Sequence, residues 1–148
     1  MTVEIRALAA EDRADWEALW RANLAHFGAG AAAVEAIPAI WARLMEAERM
    51  LGWLVRLEGR PAGLAHVVLR QHTFSPRDVA ILEDLWIAGF ARRRGLGEAV
   101  IAHLRSEGAA RGWRRIEWET DADNLAAQAL YDRLAEAVAV RRYQIDLD

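Results

Sequence analysis

The sequence contains no cysteine and no lysine. Without cysteine there is no disulfide framework, no thiolate nucleophile and no cysteine metal site. All 19 basic residues are arginine, which excludes a Schiff-base lysine and a phosphate-binding loop that ends in Gly-Lys-Ser or Gly-Lys-Thr. Arginine side chains must therefore carry any charged recognition of anions.

Serine and histidine are scarce. The two serines, Ser75 and Ser106, do not lie in a Gly-x-Ser-x-Gly turn, which argues against a serine hydrolase. The four histidines are His26, His66, His72 and His103. No two of them have the i, i+4 spacing that places two ligands on one helical face, so we predict no zinc site and no other metal site.

Length and charge set further limits. The 148 residues are about the size of one domain, and we predict a single domain over residues 1–148. No apolar run approaches the ~20 residues that span a bilayer, and residues 1–4 lack the pattern of a signal peptide, so the cytoplasm is the predicted location.

The formal net charge is −3 and the pI is near 5.8. Nucleic acid is not an expected partner, because it would call for a concentrated basic face. No membrane partner is expected either, because no apolar run is long enough to span one.

Apolar periodicity predicts alternating strands and helices along the whole chain. Strands are predicted over 3–7, 51–57, 62–69, 79–87, 114–120 and 140–147, and helices over 11–27, 32–48, 96–111 and 125–134. Pro38 predicts a kink or a restart within the second helix. The glycine and proline of residues 58–61 suit a hairpin turn, whereas residues 79–120 form a parallel crossover. The sheet should therefore be mixed and the fold class α/β.

A run of arginine and glycine lies between the strand predicted over 79–87 and the helix predicted over 96–111. It consists of Arg92, Arg93, Arg94, Gly95, Leu96 and Gly97. The first turn of a helix leaves backbone N–H groups unpaired and carries the positive end of the helix dipole. Glycines let a phosphate approach these donors, and arginines add charge. The run is typical of a site for a pyrophosphate.

Other interpretations of this run remain open. A Gly-x-Gly turn often does no more than start a helix, and consecutive arginines are commonly a solvated loop. A dinucleotide-binding fingerprint would need a third glycine where this chain has Val100, and it would normally open an all-parallel sheet. The dinucleotide interpretation is therefore disfavoured.

The chain resembles the GNAT superfamily of N-acetyltransferases. Arg92-x-x-Gly95-x-Gly97 matches the family signature between the fourth strand and the third helix, and residues 117–120 followed by Asn124, Ala127 and Tyr131 resemble its second motif, especially in a branch that acetylates small amines and proteins. The resemblance implies a mixed, mostly antiparallel sheet of about six to seven strands with splayed parallel fourth and fifth strands and four flanking helices. The sequence departs from the family pattern at residues 134–138, which lack the Gly-Phe pair that usually precedes the sixth strand.

The same resemblance implies that acetyl-coenzyme A is the co-substrate. Its pantetheine arm would lie in the gap between the splayed strands, against the backbone of Leu85, Trp86 and Ile87, and an N–H near Ile87 would stabilise the oxyanion. These side chains are also expected in the core. Asn124 is expected to cap the last helix and, with Ala127, to contact the cofactor.

The resemblance also implies roles in proton transfer. Tyr131 lies where the family often keeps a general acid for the departing thiolate; the alternative is a tyrosine that packs beneath the last strand. An amine with a pKa near ~10 must lose a proton before attack, and Glu119 and Glu83 are the preferred bases, ahead of Asp84. Strand alternation puts Glu83 and Asp84 on opposite faces. Each carboxylate has the alternative of a surface ion pair with arginine.

The expected reaction is transfer of an acetyl group to a primary amine of a small molecule, a polyamine or a protein. A non-catalytic sensor of acyl-coenzyme A is the main alternative, and a nucleotide-binding domain is a third. The aromatic residues of the helices before position 48 are expected mainly in the core, although they also suit a wall for an amine substrate with His26 or Glu35 near its entrance. The sequence leaves open whether two copies pair through the last strand as a homodimer.

Overall fold

The computed structural model describes residues 1–148 and contains one five-stranded sheet. The strands lie across the sheet in chain order: β1 (Val3–Ala7), β2 (Met50–Leu57), β3 (Arg60–Arg70), β4 (Val79–Ile87) and β5 (Arg115–Glu117). Neighbouring strands are antiparallel except β4 and β5, which are parallel. The prediction of a mixed α/β sheet is confirmed.

Five helices accompany the sheet. They are α1 (Arg13–His26), α2 (Ala31–Glu35), α3 (Ile37–Glu46), α4 (Leu96–Arg111) and α5 (Leu125–Leu134). The expected number of four was wrong because the helix predicted over 32–48 is divided at Ala36, with Pro38 in the first turn of α3. Proline fits there because the first N–H groups of a helix have no partner within it. None of the five has both the length and the apolar character needed to cross a bilayer.

The predicted count of six to seven strands was too high. β5 has three residues instead of the seven predicted over 114–120, and no strand forms over 140–147. Residues 140–147 have a strand-like pattern, but a strand also needs a neighbour with which to exchange hydrogen bonds. Residues 136–148 make no backbone hydrogen bond within the chain. The predicted strand over 140–147 therefore has no neighbouring strand with which to pair.

The hairpin between β2 and β3 turns through two residues. Glu58 has a φ of 51° and Gly59 a φ of 77°, and Leu57 pairs with Arg60 directly before and after them. Positive φ at both central residues matches the type I′ turn, whose twist suits antiparallel strands and which favours glycine. The predicted hairpin is confirmed.

Helices cover both faces of the sheet and enclose two cores. The main core lies beneath α4 and contains Val100 and Leu104 of that helix against Trp53 and Ala65 of the sheet. The second core lies on the opposite face, under α1 and α3, and its buried members are Trp16, Leu19, Leu24, Ile37, Trp41, Leu44, Leu54, Leu64 and Trp86. Alternate residues of β2 and β3 therefore enter different cores, as the pleat of a sheet requires.

A β-bulge interrupts β4 at Glu83. His66 of β3 pairs with Asp84, but the next residue, Val67, pairs with Leu82, so Glu83 is the extra residue. As a result, Leu82 and Leu85 both pack in or against the main core although they are three positions apart. Strict alternation, which was expected to put Glu83 and Asp84 on opposite faces, does not hold at this bulge.

The parallel strands β4 and β5 separate soon after they begin. Their pairing runs only from Val79 with Arg115 to Ile81 with Glu117. From Leu82 onward β4 has no strand on that side. The predicted splay is confirmed, and it leaves a gap, called here the cleft, between the second half of β4 and the chain that follows β5.

A buried carboxylate ties the start of α1 to the sheet. The Asp12 side chain is 2% exposed and accepts hydrogen bonds from the Arg6 guanidinium at 3.0 Å and from the Ala9 backbone N–H at 2.8 Å. Arg56 of β2 approaches the same carboxylate at 3.4 Å. Burial opposes ionisation of Asp12, but these hydrogen bonds and the arginine charge outweigh it, so the pKa of the carboxyl is lowered.

Asp12→Asn should lower the free energy of unfolding by about 2 kcal/mol at neutral pH, because two arginines lose their buried anion. A lowered pKa in the folded state makes this contribution complete above the unfolded pKa of about 3.9 and removes it as the pH falls through the folded value. The difference between variant and wild type should therefore shrink as the pH falls below the unfolded value of about 3.9, as measured by urea unfolding at neutral pH and at a series of lower pH values.

Asp15→Asn is the matched control, since Asp15 also binds Arg56, at 3.0 Å, but its side chain is 46% exposed. An exposed pair contributes less than about 1 kcal/mol. Equal destabilisation by the two substitutions would contradict a special role for Asp12.

Candidate active site

Residues 92–97, called here the anion turn, lead from the end of β4 into α4. Arg93 has a φ of 60° and Gly95 a φ of 77°, so the backbone is left-handed at both. The six consecutive N–H groups of residues 93–98 donate to no backbone acceptor, and the first helical bond joins the Ala99 N–H to the Gly95 carbonyl at 3.0 Å. Unpaired donors at the positive end of a helix form a site for an anion.

The two glycines of the turn differ in what they require. The left-handed backbone at Gly95 favours glycine by itself. At Gly97 a Cβ would lie 3.7 Å from the Leu130 Cδ2 and 4.0 Å from the Leu85 Cδ2, which is ordinary contact. The packing of the protein does not demand glycine at position 97. Its absent side chain instead leaves room for a ligand to reach the helix, so the residues present fit the diphosphate of a coenzyme.

The three arginines of the turn are in different surroundings. The Arg92 Nε donates to the Ile87 carbonyl at 2.9 Å, and its guanidinium lies 4.7 Å from the centre of the Trp86 ring. Arg92 therefore braces the turn against the end of β4. Arg93 and Arg94 are exposed and leave their charge available to an anion.

The end of β4 presents different side chains to its two faces. Leu85 and Ile87 are partly buried against the main core, whereas Trp86 is buried in the second core. The Trp86 indole N–H is buried without an acceptor. Because the Trp86 side chain belongs to the opposite face, this residue can offer the cleft only its backbone, as the sequence interpretation assumed.

Tyr131 lies on α5 and packs against the main core. Its ring meets Trp118, just beyond β5, at 5.4 Å between ring centres in an edge-to-face arrangement. Burial raises the pKa of the Tyr131 hydroxyl above its ordinary value, which keeps the proton in place at neutral pH. Tyr131 packs on the main core and Trp118, and not beneath a last strand, because no strand forms after α5. Its role as a proton donor stays a prediction.

The Asn124 side chain caps α5. Its Oδ1 accepts the Ala127 backbone N–H at 3.2 Å. This confirms the expected cap and satisfies one of the unpaired donors at the start of the helix. The Ala127 N–H is thereby engaged within the protein, so contact of these two residues with a cofactor stays a prediction.

The two preferred carboxylates are both exposed. Glu119 forms an ion pair with Arg142, which is the alternative considered for it from the sequence. Glu83 lies at the bulge of β4. A base function for either residue stays a prediction.

Asp84, ranked third from the sequence, is part of a hydrogen-bonded chain that enters the second core. Its Oδ2 lies 3.0 Å from the His66 Nδ1, and the His66 Nε2 lies 2.9 Å from the Trp16 Nε1. An indole N–H only donates, so the His66 Nε2 accepts this hydrogen bond, and the His66 Nδ1–H donates one to the Asp84 carboxylate. His66 is 2% exposed, while the Asp84 side chain is 29% exposed. These two hydrogen bonds hold one carboxylate oxygen of Asp84 in place, while its side chain stays partly exposed.

The aromatic residues divide between core and surface. Trp16 and Trp41 are buried and in contact, as expected for core residues. Phe27, in contrast, is 68% exposed, and His26 packs against Trp86 with 5.1 Å between ring centres. His26 and Phe27 thus form an exposed aromatic edge beside Trp86.

Comparison with known proteins identifies the family to which the chain belongs. The family model described as the Acetyltransferase (GNAT) family matches residues 11–135. The chain belongs to this family.

Individual relatives agree with the family. This GNAT chain is 24% identical over 136 residues to a D-amino-acid N-acetyltransferase of Saccharomyces cerevisiae, covering 90% of this chain and 84% of that one. An aminoglycoside acetyltransferase from an uncultured soil metagenomic sample has a TM-score of 0.86 and 25% identity, with complete coverage of both chains. An aminoglycoside N-acetyltransferase bound to the bisubstrate analog CoA-S-monomethyl-acetylneamine has a TM-score of 0.78 and 21% identity, covering 98% of this chain and 100% of that one. These comparisons indicate an acetyltransferase enzyme.

Sequence reasoning assigned no contact or role to His66 of this GNAT protein. The residue lies in an apolar strand, and its partners Trp16 and Asp84 are 50 and 18 positions away. No local spacing could indicate the contact. The only available signal was the rarity of a histidine that is predicted to be buried, since such a side chain needs polar partners.

No group of three or more His, Asp or Glu side chains in residues 1–148 is arranged to hold a metal ion.

Proposed function

We propose that this GNAT protein transfers the acetyl group of acetyl-coenzyme A to a primary amine of a small molecule, a polyamine or a protein by direct attack on the thioester. The observation that carries the proposal is the row of unpaired N–H groups at residues 93–98, at the end of a β4 strand that has separated from β5. Acetyl-coenzyme A, when bound, supplies an activated acetyl thioester. Residues 1–148 act as one N-acetyltransferase domain in this proposal.

The anion turn holds the diphosphate. The N–H groups of residues 93–98 donate to it, and Arg93 and Arg94 add positive charge, while Arg92 keeps the turn against Ile87. The backbone of residues 85–87 contacts the pantetheine arm where β4 lacks a neighbouring strand. An N–H at or near Ile87 stabilises the negative charge that develops on the thioester oxygen. Asn124 and Ala127 line the far side of the cofactor site.

Tyr131 is the proposed general acid. When the amine nitrogen bonds to the acetyl carbon, the carbon–sulfur bond breaks, and the Tyr131 hydroxyl gives its proton to the departing sulfur. Support for the role comes from the family pattern, because a raised pKa keeps the hydroxyl protonated but makes it a weaker acid. The product amide and free coenzyme A then leave, and Tyr131 regains a proton from solvent.

The proton of the attacking amine goes to a carboxylate or to water held by one. Glu119 and Glu83 are proposed from the family pattern, and the structure adds a reason to consider Asp84. A carboxylate held by His66 keeps a fixed orientation, and fixed orientation is what proton transfer requires.

Glu83→Gln, Asp84→Asn and Glu119→Gln separate these three candidates. The variant that lacks the base should show kcat reduced at least about tenfold with unchanged coenzyme A affinity, while the other two change kcat less than about threefold. Rates from thiol release and affinities from calorimetry would be compared for all three. Unchanged kcat in every variant would leave water as the sole proton acceptor and remove the carboxylates from the mechanism.

A small-molecule amine is the first acceptor class to test. The yeast relative is named for D-amino acids, and the two structural neighbours for aminoglycosides. A panel of D-amino acids, aminoglycosides, polyamines and peptides would be assayed by the release of free thiol. Because the chain has no cysteine, a thiol reagent detects only coenzyme A. Binding of acetyl-coenzyme A without thiol release would contradict the enzyme and favour the sensor. The cytoplasmic location stays a prediction that cell fractionation would check.

A further inference from the structure

A buried histidine at the centre of the sheet connects α1 with β4. His66 is 2% exposed and lies on β3, where its neighbours across the sheet are Gly52 of β2 and Asp84 of β4. Its ring donates to the Asp84 carboxylate at 3.0 Å and accepts from the Trp16 indole at 2.9 Å. Both ring nitrogens therefore have partners, as a buried polar side chain requires.

The His66 imidazole has one orientation and one tautomer. The ring centres of Trp16 and Trp20 lie 6.0 Å and 4.8 Å from the His66 ring, so aromatic side chains enclose it. An indole N–H cannot accept, so the Trp16 hydrogen bond requires an unprotonated Nε2 and leaves the ring N–H proton on Nδ1. Trp16 is 0% exposed. This buried indole therefore directs the single N–H of His66 toward Asp84.

The bulge at Glu83 turns Asp84 toward this ring. Leu82 packs in the main core, and strict alternation along β4 would direct Asp84 to the same side. The extra residue instead gives Asp84 the face of Trp86, which is buried in the second core. Residues 85–87 follow directly, and their backbone borders the cleft. Asp84 is therefore a carboxylate that is held by a buried partner and adjacent to the proposed site of the thioester.

Packing of the second core does not by itself call for these polar groups. Two apolar side chains would fill the space between α1 and β3 without a donor or an acceptor to satisfy, and such replacements are often neutral or stabilising. The same core keeps the Trp86 indole N–H without an acceptor, so an unpaired indole is tolerated there. The hydrogen bonds of Trp16 and His66 instead end at Asp84, whose side chain is 29% exposed and accessible to a small molecule.

We propose that His66 is a positioning residue for acetyl transfer and that Trp16 fixes its tautomer, so that Asp84 is held ready to accept the proton of the attacking amine. The ammonium form of the amine gives one proton to Asp84, and the freed nitrogen lone pair then attacks the acetyl carbon. The carbon–sulfur bond breaks and the sulfur takes a proton from Tyr131. Asp84 releases its proton to solvent, and the second proton that the nitrogen loses restores the Tyr131 hydroxyl through solvent. This inference rests on the proposed function.

Two substitutions of His66 separate its two hydrogen bonds. The asparagine amide occupies the place of Nδ1, so His66→Asn keeps a donor for Asp84 and loses the acceptor for Trp16. The glutamine amide reaches the place of Nε2, so His66→Gln keeps the acceptor and loses the donor. Positioning predicts kcat reduced about five- to tenfold in His66→Gln and less than about threefold in His66→Asn, with unchanged coenzyme A affinity in both. Equal losses, or the reverse order, would overturn the proposal.

A double-mutant cycle with Asp84 distinguishes positioning from a general loss of stability. Asp84→Asn should lower kcat at least about tenfold, and adding His66→Gln should lower it no further, because His66 acts only through this carboxylate. Losses that multiply would overturn the proposal. His103→Gln is the matched control, since His103 lies 3.6 Å from the Glu107 carboxylate on α4, on the opposite face of the sheet. Its turnover should equal that of the wild type.

The tautomer of His66 can be measured without any activity. A long-range nitrogen–proton correlation NMR spectrum of the wild type at neutral pH should show a histidine with a protonated Nδ1 and an unprotonated Nε2, and this signal should be absent from His66→Gln. A wild-type His66 that carries its proton on Nε2 would overturn the proposal, and this result needs no variant that folds.

Failure of this inference and failure of the proposed function give different results. An Asp84→Asn enzyme that is as active as the wild type would overturn the role of His66 while acetyl transfer stands. A wild type that binds acetyl-coenzyme A and releases no thiol with any amine would overturn both.

Discussion

Gly97→Asp should weaken coenzyme A binding about 100-fold or more, since a carboxylate close to the diphosphate in a partly shielded site costs about 3 kcal/mol or more. The new side chain would also occupy the space that glycine leaves open between Leu85 and Leu130. The negative charge would itself be favourable at the start of α4, so the fold should persist. Isothermal titration calorimetry with coenzyme A would measure the loss.

Gly97→Ala shows whether a side chain at position 97 lowers coenzyme A affinity without lowering the stability of the fold. A Cβ at this position meets only ordinary contacts, and alanine is a better helix former than glycine by about 1 kcal/mol. The variant should be at least as stable as the wild type in thermal unfolding, yet bind coenzyme A less tightly. Full affinity in both variants would show that the coenzyme does not sit on the anion turn.

Tyr131→Phe should reduce kcat about 100-fold and change coenzyme A affinity little, because loss of a general acid typically costs 10²–10⁴-fold. Only the hydroxyl is removed, so the ring keeps its edge-to-face packing on Trp118. Steady-state thiol release at saturating amine, with calorimetry for the cofactor, gives the two quantities separately.

Tyr143→Phe is the matched control, since the chain has only two tyrosines. Tyr143 follows α5 and is 82% exposed, and phenylalanine keeps its apolar character. Its turnover should equal that of the wild type. If Tyr131→Phe behaves like Tyr143→Phe, then Tyr131 has a packing role alone and the leaving thiolate is protonated by solvent.

Local sequence determined much of the fold. The bounds of β4, α4 and α5 agree with the residues predicted for them. For α4 the reason is direct, because Gly95 and Gly112 are left-handed at its two ends and such positions favour glycine. The divided helix at Ala36 and the short β5 were not predictable to the residue, since element ends depend on tertiary contacts more than on pattern.

The anion turn was also predictable, because its function depends on consecutive backbone groups. The hydrogen bonds that link Trp16, His66 and Asp84 were not predictable, since they join three elements that are distant in sequence. The strand predicted over 140–147 was wrong for a related reason: alternation describes the preference of a segment, but a strand exists only where another strand accepts it.

The bulge at Glu83 has a consequence for the transfer of residue roles between relatives. In a relative without the bulge, side chains alternate strictly along the strand. Every residue that is aligned without a gap to a position after 83 then points to the other face of the sheet. An alignment that omits a one-residue gap here would match Asp84 with a relative's residue that points into the opposite layer of the molecule. At identities near 25%, structural superposition of β4 should therefore come before any comparison of acidic residues on this strand.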